Sequence, residues 1–171
     1  MLEITAPSVT YNLDDKVATT GIIVNLQGYN NSRESANMTI ILAVKDLPAD
    51  TKFDDLTRTQ IIELARKKVV SFVDPAADTT PALDVNVDSI AYVLDKASSN
   101  TESIAIALKG YSTESRNNVN LSVNLTPDDL EDGVALDDLS RKQAEALARK
   151  KGADYVNPPA ETPKEVPAAT V

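Results

Sequence analysis

The chain has 171 residues, no cysteine, no histidine and a net charge of −9, with a pI near 4.5. This composition excludes disulfides, thiolate metal sites and Ser-His or Cys-His nucleophilic centres, and the acidic balance argues against a nucleic-acid partner. Hydrophobic residues make up 42% but aromatics only 4%, so Val, Ile, Leu and Ala must fill the core.

The N-terminal Met-Leu-Glu-Ile has neither a basic nor an apolar leader region, so no signal peptide is expected, and no apolar run is long enough to span a membrane. Leu2 and Ile4 form a short apolar run, and Pro7 separates it from the alternating Val9, Tyr11 and Leu13. Ile22, Val24 and Leu26 alternate up to Gly28. After a polar stretch from Asn30 to Asn37, so do Met38, Ile40, Leu42 and Val44. Ile41 falls on the opposite face, which suggests partial cover there too. Period-two patterning predicts half-buried strands, the last two as an antiparallel hairpin.

A helix is expected over about residues 58–72. Thr57 and Gln60 fit a capping box, Leu56 and Ile61 a hydrophobic staple, and Ile61, Ile62, Ala65, Val69 and Phe72 share one face. Arg66, Lys67 and Lys68 are read as complementing the helix dipole. Residues 74–81 have linker composition.

The second half repeats this order, with runs at Leu83–Val87, Ile90–Leu94, Ile104–Leu108 and Val119–Leu125, then a capping box at Ser140 and Gln143. Ala144, Glu145 and Gly152 replace Ile61, Ile62 and Val69. On this basis the first helix is expected to be the more deeply buried, with Gly152 as a C-terminal stop. The four prolines after Tyr155 predict an extended tail.

The repetition is explicit in the residues. Ser32–Lys68 aligns without a gap to Ser115–Lys151 at an offset of 83, with 16 of 37 positions identical. Upstream, Gly28-Tyr29 answers Gly110-Tyr111 and Tyr11-x-Leu13-Asp14 answers Tyr92-x-Leu94-Asp95. Internal repeats outrank other architectural signals. The expectation is an α+β protein built by tandem duplication. Each module has three or four mostly antiparallel strands followed by one helix, and the two are related by a pseudo-twofold axis. The modules span residues 1–73 and 82–155, with a linker at 74–81 and a proline-rich flexible tail at 156–171. Each has about 75 residues, near the lower limit for an unstapled core, so each should lean on its twin or on another chain for buried surface.

Little in the chain points to chemistry. Asp128, Asp132 and Gly133 match three positions of a calcium loop, but Leu130 and Leu139 occupy positions that need oxygen ligands, so the motif fails. The pairs Asp54-Asp55 and Asp137-Asp138 precede helix caps, which explains them without a substrate. No Gly-rich phosphate loop is present. Four Asn-x-Ser/Thr triplets, at Asn30, Asn37, Asn120 and Asn124, are read as composition rather than glycosylation sites. No enzyme activity, cofactor or metal is expected.

The duplicated strand-hairpin-helix build, the acidic unstapled composition and the C-terminal arm resemble small accessory virion proteins of tailed bacteriophages, of the capsid decoration or tail-associated type. The resemblance implies a structural role on repeated sites of a capsid or tail, with assembly in the host cytoplasm. No family motif is matched, so no functional residue is carried over. Expected partners are proteins, namely copies of the chain and a larger virion assembly, with neither nucleic acid nor membrane. Exposure and edge geometry place the contacts at Tyr29, Asn30, Asn31 and Arg33, at Tyr111, Ser112 and Arg116, and at Asn157, Pro158 and Pro159. Two other readings stand beside this one: an intracellular adaptor that holds a ligand between the two copies, and a metal-dependent hydrolase built on Asp and Glu.

Overall fold

The computed structural model describes residues 2–76 and 83–158. Six strands and two helices follow in chain order: β1 Thr5–Leu13, β2 Thr19–Tyr29, β3 Ser35–Ala43, α1 Arg58–Val73, β4 Asn86–Leu94, β5 Thr101–Tyr111, β6 Asn118–Leu125 and α2 Arg141–Val156. All six strands form one antiparallel sheet in the order β1-β2-β3-β6-β5-β4. The architecture is α+β, and the two halves of the chain meet where β3 pairs with β6.

Leu2-x-Ile4 is not a strand of its own. Both side chains are buried just ahead of β1, which runs straight through Pro7. The pairing with β2 shifts register between Thr5 and Ser8, and this irregularity on an edge strand is where a residue without an N–H is tolerated. Leu83 and Val85 likewise sit buried ahead of β4.

One face of the sheet is covered. Ile22, Val24 and Leu26 of β2 stand opposite Leu42, Ile40 and Met38 of β3, and all six are fully buried. Ile104, Ile106 and Leu108 of β5 stand likewise opposite Leu125, Val123 and Leu121. These side chains form a single apolar cluster with Ile61, Ala65, Val69 and Phe72 of α1 and Ala144, Ala148 and Val156 of α2. Each large aliphatic side chain buried this way contributes roughly 1.5–3 kcal/mol.

Both helices start as their sequences require. Thr57 accepts from Gln60 N while Gln60 Oε1 accepts from Thr57 N at 2.8 Å, and Ser140 and Gln143 repeat the box at 2.9 Å. The second helix corrects two expectations. It continues through Gly152 to Val156, and it is buried as thoroughly as the first. Gly152 is a point of close approach: a Cβ there would lie 2.5 Å from Leu121 Cδ2 and 3.4 Å from Val73 Cγ1. The small residues of α2 therefore mark tight packing against β6 and α1 rather than a shallower site. Of the linker, residues 77–82 lie outside the described region, as does the tail from residue 159. No described helix is long and apolar enough to cross a membrane.

Candidate functional site

Where β3 meets β6, each neighbouring hairpin sends one buried polar side chain across to the other half. After β5, Asn117 is fully buried; its Oδ1 accepts from Ile41 N of β3 at 2.7 Å, and its Nδ2 donates to Ser115 Oγ at 2.9 Å. After β2, Glu34 is 4% exposed and its Oε1 accepts from Asn124 N of β6 at 3.2 Å. Tyr155 Oη donates to the same carboxylate, Asn30 Nδ2 donates to Oε2 at 2.7 Å, and Lys151 Nζ stands 3.4 Å away. Lys151 also pairs with Asp129 at 2.7 Å. Together with Ser32 and Asp128 these groups line a hollow of about 510 Å³.

The electrostatics follow from the contacts. Burial works to raise the pKa of Glu34, but the hydrogen bonds from Tyr155, Asn30 and Asn124 and the charge of Lys151 outweigh it, holding the carboxyl below its ordinary value. Burial, the bond to Glu34 and the nearby charges of Glu34 and Asp129 push the Tyr155 hydroxyl far above its own range. This cluster is a buried anion with its donors, built to stay ionised.

The basic runs do not serve the helix ends, because neither helix has a basic residue in its last turn. Arg66 instead donates to the carbonyls of Ile4 and Val156, and Arg149 to those of Val85 (2.7 Å) and Val73 (3.0 Å). Burial lowers the pKa of the Arg66 guanidinium. Lys68 donates to Ile41 O at 2.9 Å and Asp46 at 2.6 Å, and Lys151 to Asn124 O at 2.8 Å. The paired carboxylates are corrected as well. Asp54 accepts from Thr19, and Asp137 from Thr101, at the first residues of β2 and β5. Asp54 and Asp137 thus anchor strands, whereas Asp138 does cap, accepting from Ala135 N at 3.4 Å at the start of a 3-10 turn, and the Thr101 bonds hold Asp137 below its ordinary pKa.

The second face of the sheet has no described element packed on it. Residues directly opposite across a ladder share a face, so the register assigns its members. Ile23 stands beside Ile41, Asn25 beside Thr39, and Asn37 beside Asn120. Ala105 stands beside Asn124 and Ala107 beside Ser122. The polar groups bond one another: Asn25 Nδ2 donates to Ser8 Oγ at 2.7 Å, Thr39 Oγ1 to Asn25 Oδ1 at 2.9 Å and Asn120 Nδ2 to Asn118 Oδ1 at 3.2 Å. Among the described strand residues, charge reaches this face through Lys109 and Asp88, which pair at 2.8 Å, and through Glu102 near one end of β5. In a chain that is 25% charged, a six-stranded face with one internal ion pair and one further carboxylate is sparsely charged. The triplets at Asn37 and Asn120 arise here, because period-two alternation puts both their Asn and their Thr or Ser on this face.

The residues expected to make contacts are divided by the antiparallel seam. Tyr29, Asn30, Asn31 and Arg33 surround one hairpin tip, and Tyr111, Ser112 and Arg116 lie at the other, at opposite ends of β3 and β6. Tyr29 is 72% exposed and Tyr111 64%. Arg33 and Arg116 both adopt left-handed backbone (φ 63° and 55°) and turn the chain at the tips. Asn31 and Arg33 border a hollow of about 300 Å³ that opens onto this face of the sheet beside Ala105, Ser122 and Asn124 and is also lined by Glu102. Asn157 continues from α2, and Pro158 lines a separate hollow with Leu2, Ile4, Arg66 and Tyr155. Pro159 lies outside the described residues.

Glu34 was not singled out in the sequence, although a signal was there. Positions 34 and 117 differ as Glu and Asn, while 72 and 155 differ as Phe and Tyr, so the half-chain that supplies the carboxylate faces the helix that supplies the hydroxyl. Among the described residues no three acidic side chains converge as a metal site. No protein-family model matches the chain, and neither a curated protein nor a solved structure matches it with significance.

Proposed function

We propose that this chain is a non-enzymatic structural protein, a phage virion component that binds repeated sites on a capsid or tail. The observation that carries this reading is the sparsely charged open face of the sheet, a broad surface left available by an otherwise acidic chain. Of the carboxylates that sequence reasoning weighed for chemistry, Asp54, Asp137 and Asp138 are engaged in hydrogen bonds that hold strand and turn starts in place, which fits a scaffold. The virion assignment rests on the resemblance in build.

The same proposal makes the chain a tandem duplication about a pseudo-twofold axis at the seam. Its support is the 83-residue offset in the sequence together with the register. Asn37 pairs with Asn120, its own counterpart, and Ser35↔Ser122 exchanges with Thr39↔Asn118 under the same offset. Such a chain presents two similar surfaces per molecule, suited to a repeating substrate.

Gradient sedimentation of a lysate from cells that produce the protein tests the role. Cofractionation with particles of capsid or tail size supports it, and recovery of the chain only at the top of the gradient overturns it. Removing residues 157–171 is expected to weaken cofractionation while leaving the melting temperature unchanged. The adaptor reading has one observation in its favour, the hollow of about 510 Å³ at Glu34 and Lys151, formed between the two halves.

A further inference from the structure

We propose that the open face of the sheet is a self-docking surface, on which two copies of the chain stack face to face in an isologous pair. The inference rests on the assembly reading above and names the partner for that surface. Three observations select a second copy over other occupants.

Charge comes first. Two molecules of net −9 repel wherever their acidic surfaces meet, and this sparsely charged face, with one ion pair and Glu102 near one end of β5, opposes far fewer like charges than the rest of the surface. Composition comes second. An isologous contact sets a surface against itself, so it suits side chains that both donate and accept. Asn25, Asn37, Asn120 and Ser122 do both, while Ile23 and Ile41 add an apolar patch to one side of this polar centre. Area comes third. Six strands of 8 to 11 residues cover roughly 700–800 Å² at the usual strand spacing and rise. That matches the roughly 800 Å² per partner of a stable protein interface. Face-to-face packing of two twisted sheets is itself a common layer arrangement.

The test is light scattering on the full chain during size exclusion, at loading concentrations up to about 100 μM, where a dimer of ~10 μM Kd would be populated. The wild type should be dimeric. Two single variants should each weaken association by roughly 100-fold or more, Asn37→Glu on the exposed centre and Ala107→Glu on β5. Circular dichroism melts check that each variant folds, and Asn37 is exposed, so at least that substitution should leave the fold intact. A wild type that stays monomeric throughout overturns self-docking. So does a dimer that both folded variants preserve, since it must use another surface. If the wild type is monomeric but Asn37→Glu abolishes cofractionation with large particles, the face serves a different protein. That result sinks the pairing while sparing the assembly role. Loss of cofractionation in the wild type sinks the assembly role itself.

Discussion

The two side chains that cross the seam solve one problem in two ways. Asn117 is neutral, and one backbone N–H and one serine hydroxyl suffice to satisfy it. The residue 83 positions after Phe72 is Tyr155, and where Asn117 has a plain phenylalanine in the corresponding helix position of the other half, Glu34 has a phenol. The carboxylate needs that hydroxyl, an asparagine amide, a backbone N–H and a lysine to remain buried and ionised. A buried neutral group can be satisfied locally, whereas a buried charge recruits an environment. The second half is thereby specialised, with Lys151 shared between Glu34 and Asp129 and standing 5.8 Å from the Tyr155 ring.

Removing the cation should break the comparison most severely. Lys151→Met leaves two carboxylates near each other without their shared partner and is expected to cost about 3 kcal/mol in urea unfolding. Lys68→Met removes a lysine with one carboxylate partner, Asp46, and should cost less. Tyr155→Phe, which copies the helix residue of the other half, takes one donor from a buried carboxylate and should cost about 2 kcal/mol. The double variant Glu34→Asn with Tyr155→Phe rebuilds the neutral crossing, so its stability should return to within about 1 kcal/mol of wild type, a non-additivity read directly from a double-mutant cycle. Additive losses would show that the two positions are not coupled.

The smallest effect is on pH. Because the folded-state pKa of Glu34 is depressed, its contribution is present above the ordinary glutamate pKa and is lost as pH falls through the folded value. Glu34→Gln should therefore flatten the acid limb of stability below about pH 4.5 while leaving the limb above pH 6 parallel to wild type. An unchanged acid limb would show that the carboxylate is not held in its charged form.

Much of the molecule was legible in the residues. Period-two runs located the strands that contain Ile22, Met38, Ile104 and Val119, and the Thr57 and Ser140 boxes located both helix starts. These signals are local, so the chain carries them wherever it folds. Gly152 was misread because a helix stop and a close helix contact both call for a missing side chain, and only its distance to Leu121 separates them. Arg66 and Arg149 were misread for a similar reason: a cation late in a helix looks the same in sequence whether it serves its own helix or a strand beyond it.

The candidate surface was only half visible. The polar alternate positions of β2, β3, β5 and β6 could be read as one side of a strand, but not as one continuous face. By itself the sequence determined where the central strands and both helices form, where the helices begin, and that no thiol or imidazole chemistry is available. Tertiary structure decided that β3 joins β6, that this junction places Asn37 beside Asn120, and that Glu34 is buried under Tyr155. The reason is that periodicity and capping act over a few residues, whereas strand pairing and the burial of a charge depend on groups 76 to 121 residues apart.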